Sequence, residues 1–268
     1  MNRSTFGYRT RPKPPGNREI RRLLVADAIG QVHEDSRGTY GYRRVQAALR
    51  IERDLTVNHK LVAKVMADLG LTGLPRKKTQ KRNLIGVRTS SDLVNRNFTA
   101  NQPNQLWVTD ITEHPTREGT VYACVVLDVF SRKAVGWAVD RRPETSLVNS
   151  ALFMAHSSRQ PATGGIIHAD HGAQFTSWAF TSNVEKYGLR LSLGTVGDCY
   201  DNAMIESFWA RMQTELLDRK KWVTIVELST EMVDYIDTFH NHQRRHSSLD
   251  MLTPTEYENQ YAPMLQLT

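Results

Sequence analysis

The 268-residue sequence predicts an α/β fold: a mixed five-stranded sheet flanked by helices, preceded by a small all-α domain. Three observations predict it. Apolar residues recur at three- and four-residue steps from Asn17 to Gly70, the period of a helix face. Three β-rich runs joined by short turns then occupy 106–140. Beyond them, helical and strand-like patterns alternate.

The elements follow in chain order. Residues 1–16 contain Pro12, Pro14 and Pro15 without periodicity and read as a flexible lead-in. A first helix starts at Asn17, which can cap it, and carries Ile20, Leu23, Leu24, Ala28 and Val32. Gly38 and Gly41 interrupt the chain. A second helix sets Val45, Ala48 and Leu49 on one face. A third follows Asn58, turns Leu61, Val62, Val65 and Leu69 inward, and stops at Gly70. Three short helices with a tight glycine-containing turn suit a helix-turn-helix module or an ordinary helical bundle, and periodicity does not separate the two. We divide the chain into this domain (17–74), a basic linker (75–100) and a larger domain (101–268).

In the larger domain the runs 106–113, 120–128 and 132–140 predict an antiparallel meander. A helix over 144–158, a strand from Gly165 to Ala169, a helix over 175–187 and a strand over 189–193 follow. A loop with Gly194 and Gly197 leads to a helix that Asp201 can cap, running to about Arg219. A last amphipathic helix carries Ile225, Leu228, Met232, Tyr235, Ile236 and Phe239.

Charge is divided unevenly. Residues 1–99 hold 21 Lys and Arg against 8 acids, whereas 100–268 hold 14 against 20, giving +13 and −6 and the net +7. A basic first third suits phosphate neutralisation, although a solvated basic face has the same composition. The linker cations Arg76, Lys77, Lys78, Lys81 and Arg82 can track a DNA backbone or form a plain tether. Cys124 and Cys199 are the only cysteines, which excludes a disulfide framework or a cysteine-rich zinc site. No apolar run approaches the roughly 18 residues of a membrane span, and the basic N-terminus lacks a signal-peptide core, so a cytoplasmic location is expected.

Two acids stand where a carboxylate is costly unless paired, hydrogen-bonded or bound to metal. Asp110 interrupts an apolar strand between Val108 and Ile111. Asp170 directly follows the Ile166-Ile167 strand. Glu206 flanks the core stripe Ile205, Phe208, Trp209, Met212 and Leu216 of its helix. Converging carboxylates suit hard, oxygen-seeking cations such as Mg²⁺, and two such ions can assist phosphoryl transfer. Spacing alone does not separate this reading from scattered surface acids.

The flanking residues do. Trp107-Val108-Thr109-Asp110-Ile111-Thr112, Leu127-Asp128-Val129-Phe130-Ser131-Arg132, His168-Ala169-Asp170-His171-Gly172-Ala173-Gln174-Phe175 and Asp201-Asn202-Ala203-Met204-Ile205-Glu206-Ser207-Phe208 resemble the integrase core of bacterial insertion-sequence transposases. The match is to the second-reading-frame product of the insertion sequence three family. The run Ser36–Val45 resembles its helix-turn-helix segment, and Asn241, His246–Leu249 and Pro254 resemble its C-terminal signature. The resemblance covers about residues 18–258.

It implies a ribonuclease-H-like core with Asp110 on the first strand, Asp170 just past the fourth and Glu206 on the helix after a flexible 192–200 loop. It implies Asp110, Asp170 and Glu206 as catalytic and metal-binding residues, with two Mg²⁺ ions that Mn²⁺ can replace, one between Asp110 and Asp170 and one shared by Asp110 and Glu206. The implied reaction is cleavage at the ends of an insertion element, freeing a 3′-hydroxyl that attacks a second phosphodiester. Implied partners are the terminal inverted repeats and target DNA, further copies of the chain, and an upstream reading-frame product. The implied location is the bacterial cytoplasm, at the nucleoid when DNA-bound. A DNA-binding regulator or an inactive relic dependent on the upstream product is the alternative.

Two positions depart from the family pattern. Gln213 stands where Lys or Arg is common, seven residues after the glutamate, and brings no charge. Asp250 stands where glycine is usual, for which a local turn change is expected. As further DNA contacts we expect Arg43, Arg44, Arg244 and Arg245, with His240, His242 and His246 on the same basic helix end. Gln213 could hydrogen-bond DNA, and Asn202 could support Glu206. His168 and His171 read as satisfied loop histidines, Asp128 as a turn acid, and Trp107, Trp137 and Trp209 as core.

Overall fold

A computed structural model describes residues 16–75, 94, 98–194 and 203–265. The lead-in before Gly16, the linker cations Arg76, Lys77, Lys78, Lys81 and Arg82, most of the 192–200 loop, and Asp201 and Asn202 lie outside the described residues. The chain forms two compact units, divided between Leu74 and Pro75.

The first unit holds α1 (Asn17–Asp35), α2 (Tyr42–Arg53) and α3 (His59–Asp68). Gly16, not Asn17, occupies the N-cap of α1, and no side chain caps it. Its inner face is Val25, Ile29 and Val32, spaced by three and four residues. Ile20, Leu23 and Leu24 belong to the same helix yet are 43%, 60% and 66% exposed, so its first turns lie outside the core. On α2, Val45, Ala48 and Leu49 are buried as expected. The Asn58 side chain accepts from the Lys60 N–H (2.8 Å) and caps α3. Val62, Val65 and Met66 form the buried face of α3. Leu61, about 100° round the helix from Val62, is 38% exposed, and the C-cap residue Leu69 is 47% exposed, so neither points inward as expected.

The second unit is built on a five-stranded sheet of order β3-β2-β1-β4-β5. β1 (Leu106–Thr116), β2 (Gly119–Asp128) and β3 (Ala134–Asp140) form the antiparallel meander. α4 (Thr145–Arg159) crosses over to β4 (Ile166–Ala169), which pairs parallel with β1. A parallel pair requires such a crossover, because a tight turn cannot reverse the chain twice. α5 (Trp178–Lys186) then leads to β5 (Arg190–Leu193), parallel to β4.

Alternation along the strands supplies two cores, one on each face of the sheet. Trp107, Cys124, Val126 and Ile167 face α4 and α5. Leu106, Val108, Val121, Ala123, Val125 and Leu127 face the C-terminal helices. Gly136 on β3 is required by the first packing. A Cβ there would lie 2.2 Å from the Ala151 carbonyl oxygen, on the backbone of α4.

α6 (Ala203–Glu215) covers the second face with Ile205, Phe208 and Met212. It ends sooner than the periodicity predicts, because Leu216 leaves helical geometry (φ −128°, ψ −64°) before a 3₁₀ turn over Leu217–Arg219. α7 (Ile225–Asp234) continues without a break as a π-helical segment, Tyr235–Gln243. α8 (Pro254–Leu265) closes the unit. No helix among the described residues is long and apolar enough to cross a membrane.

Candidate active site

The β1–β4 register places the first two acids. Leu106, Trp107 and Val108 pair with Ile166, Ile167 and His168, a constant offset of sixty residues. Two residues beyond the last pair stand Asp110 and Asp170. Val108 faces α6, and period-two alternation turns Asp110 to the same side. α6 packs on β1 and carries Glu206 near its start.

Asp110 is strongly perturbed. Burial pushes its carboxyl up to about 7, and the negative charges of Asp170 and Glu206 push the same way. The Ile111 backbone N–H and the Trp209 indole oppose this. Trp209 Nε1 donates to Asp110 Oδ2 at 3.1 Å. Asp170 is exposed, and its Oδ1 accepts from the Gly172 N–H at 2.9 Å. Glu206 is exposed by surface area, yet partial desolvation still raises its carboxyl.

Two like charges beside one desolvated carboxyl form a set that a cation would relieve, and every donor is the hard oxygen that Mg²⁺ prefers. That chemistry fits a divalent metal. The oxygens are not closed into a cage: among the described residues, no group of three acids, histidines or cysteines stands close enough to hold an ion. α6 begins immediately after the 195–202 stretch, which lies outside the described residues.

Trp209 is the site residue that sequence reasoning assigned to the core alone. The available signal is its position three residues after Glu206, one turn along the same helix. His168 is buried; its Nδ1 lies 3.0 Å from Ser192 Oγ, and its ring meets Phe98 edge-on. His171 Nδ1 is buried without a hydrogen-bond partner among the described residues. Asp128 is fully buried, accepts from the Asn104 and Phe130 N–H groups and faces Arg159. Burial raises it to about 6. These contacts pin the turn after β2.

Among the expected DNA contacts, Arg43 is exposed on α2, where its Nε donates to the Tyr42 hydroxyl. Arg44 is half-buried against the Tyr40 ring. Gln213 donates to Asp218 Oδ1 at 2.6 Å.

The structure corrects the reading of Arg244 and Arg245 as DNA-facing. They are 1% and 2% exposed. Arg244 grips both oxygens of Glu215, at 2.7 and 2.6 Å, and the Tyr235 hydroxyl donates to the same carboxylate. Arg245 donates to the Met251 carbonyl and to Glu256. His240 and His246 are buried as well, with His240 Nε2 at 2.8 Å from the Arg132 carbonyl. The basic run looks unpaired in sequence because its acids lie 29 and 11 residues away. Asp250 adopts φ 51°, the left-handed region, which accounts for a glycine preference at this position.

Comparison with known proteins agrees with this architecture. Residues 100–199 and 187–254 match integrase core domain families, and residues 19–79 match an HTH-like domain family. The chain is therefore an integrase-core protein with an HTH-like domain ahead of the core. The transposase for insertion sequence element IS904 of Lactococcus lactis subsp. lactis is 35% identical over 246 residues, 91% of this chain and 97% of that one. The chain belongs to the insertion sequence three family of transposases, enzymes of the three-carboxylate polynucleotidyl transferase class. Among solved structures, the simian T-cell lymphotropic virus intasome in complex with PP2A regulatory subunit B56 gamma shares the fold. It has a TM-score of 0.50 and 15% identity, covering 80% of this chain and 70% of that one. The HTLV-2 integrase catalytic core domain, solved in complex with magnesium, aligns over 59% of this chain and 98% of its own (TM-score 0.44, 18% identity).

Proposed function

We propose that this transposase cuts and joins DNA at one site formed by Asp110, Asp170 and Glu206. The observation that carries the reading is the β1–β4 register, which sets Asp110 and Asp170 at matching positions two residues past its last pair, with Glu206 on the helix packed against β1. In this reading residues 17–74 bind DNA, 75–100 are a basic linker, and 101–268 hold the chemistry. The substrates are the terminal inverted repeats of the element and a target duplex. Copies of the chain assemble on DNA, with an upstream reading-frame product contributing.

The three carboxylates would hold Mg²⁺, with Mn²⁺ as a substitute and two ions per site, supplying charge neutralisation on both sides of an in-line phosphoryl displacement. The protein's own groups prepare that site. Asp110 gives up the proton that its surroundings favour near neutrality. Trp209 fixes Oδ2 of Asp110 and so orients the carboxylate. The Gly172 N–H holds one oxygen of Asp170 and leaves the other directed by it. Glu206, at the exposed start of α6, completes the set as DNA is bound. Water attacks first and frees a 3′-hydroxyl, which then attacks a second phosphodiester. No side chain becomes linked to DNA.

The test is strand transfer by the full chain on labelled DNA carrying the element ends, with and without Mg²⁺. Asp110→Asn, Asp170→Asn and Glu206→Gln should each lower joining by about 10³-fold or more while leaving DNA binding intact. Wild-type joining by any one of the three would overturn the assignment.

A further inference from the structure

Beneath α6 the second unit holds a cationic cluster that the proposed chemistry does not use. Arg244 and Arg132 both act on the charge of Arg211, and His240, whose ring meets Phe208 of the same helix edge-on, feels all three. One acid, Glu215, stands among the charges that act most strongly on Arg211. Both Glu215 oxygens are engaged by Arg244, and the Tyr235 hydroxyl donates to one of them. His240 adds no balancing charge: burial and the neighbouring arginines hold it neutral, and its Nε2 serves the Arg132 carbonyl.

Arg211 is therefore left over. Its Nε is buried without a hydrogen-bond partner among the described residues. Desolvation, Arg244 and Arg132 all work against its charge and push it down to about 9. Arg132, also shifted down by burial, sits at φ 62° on the turn between β2 and β3. Each residue nonetheless keeps part of its surface exposed. A desolvated guanidinium whose one acid is already engaged by another arginine is unfavourable, whereas a pair of guanidiniums is the usual receptor for a phosphate group.

We propose that Arg211 and Arg132 form a phosphate-binding site. The site lies on the helix that carries Glu206, five residues or about 7–8 Å further along its axis. The shared chemistry is a phosphate oxyanion, supplied by a DNA backbone or by free inorganic phosphate. It is separate from the carboxylate site and stands whether or not the catalytic reading holds.

The experiment has two arms, both on the full chain. In the first, thermal unfolding is compared in phosphate and in chloride at equal ionic strength and pH. Phosphate should raise the wild-type Tm by about 3 °C or more at tenfold saturation. Arg211→Met should melt no lower than wild type in chloride, because an uncompensated charge has been removed, and should lose the phosphate increment. If that variant fails to fold, Arg132→Met supplies the same comparison. In the second arm, the salt dependence of binding to a short duplex is measured. A slope smaller by about one in the variant identifies a DNA phosphate as the occupant. An unchanged slope, with the thermal increment still lost, identifies free phosphate. Equal stabilities of wild type in the two salts, or the same phosphate increment in both proteins, would overturn the proposal.

Discussion

Replacing Asp110 by asparagine in metal-free buffer should stabilise the second unit above neutrality and change little near pH 4. The carboxyl has its ordinary value of 3.8 when unfolded and about 7 in the fold, so the folded chain binds the extra proton between those limits. Stability therefore falls as pH rises through that window, because ionising Asp110 in place is unfavourable. The full separation corresponds to at most about 4 kcal/mol. Relaxation and water entry reduce it, and about 2 kcal/mol is the working expectation. Asparagine keeps the shape and an acceptor for Trp209 Nε1 but never carries the charge. Urea unfolding of both proteins in chelator at pH 4, 6 and 8 measures the effect. Wild type should lose stability relative to Asp110→Asn from pH 4 to 8, and Mg²⁺ at pH 8 should recover the loss in wild type alone. Parallel profiles for the two proteins would refute the account of Asp110 as a half-buried carboxyl crowded by like charge.

Arg244→Met should cost about 3–5 kcal/mol in denaturant unfolding, because Glu215 is left charged and buried. The double change Arg244→Met with Glu215→Gln should recover much of it, and weakened DNA binding without lost stability would contradict the burial of Arg244. Trp209→Phe should keep the packing but remove the donor to Asp110. The Mg²⁺ concentration for half-maximal joining should then rise about 10-fold or more, as a metal titration of strand transfer reads. Gly136→Ala drives a Cβ into the α4 backbone and should cost about 1–3 kcal/mol or more; a melt within error of wild type would show that α4 can move aside. Gly172→Ala places a Cβ 2.9 Å from Asp170 Oδ1, and it should lower joining with little change in unfolding midpoint.

Much of the fold was legible because strand and helix periods are local. The meander, the helix after it and the next strand follow from alternation and turn residues within 106–169, whereas the pairing of that strand with β1 was implied only by the family resemblance. Asp110 and Asp170 could be singled out because each interrupts or ends an apolar strand. Three other features were not legible, for one shared reason: each depends on a partner distant in sequence. Arg244 and Arg245 read as a surface charge run until Glu215 and Glu256 are seen beside them. Trp209 reads as one more member of an apolar stripe until β1 brings Asp110 to its indole. Ile20, Leu23 and Leu24 satisfy the helical period as well as Val25, Ile29 and Val32 do, and only the placement of α2 and α3 decides which face is covered. The left-handed turn at Asp250 was expected only as a departure, since its backbone angle is not encoded in residue type.

The sixty-residue offset between β1 and β4 acts as a vernier for the carboxylates. The chain between them can lengthen in the turns before α4 or after it without moving Asp170, since the register is set by backbone pairing and not by contour length. A single residue inserted within Ile166–Ala169 has the opposite effect. It would carry Asp170 about 3.3 Å along the strand and turn the following side chains to the other face of the sheet. Tolerance to insertion should therefore change abruptly between Gly164 and Ile166, so a short tag placed on either side of Gly165 would report where the strand begins to govern the site.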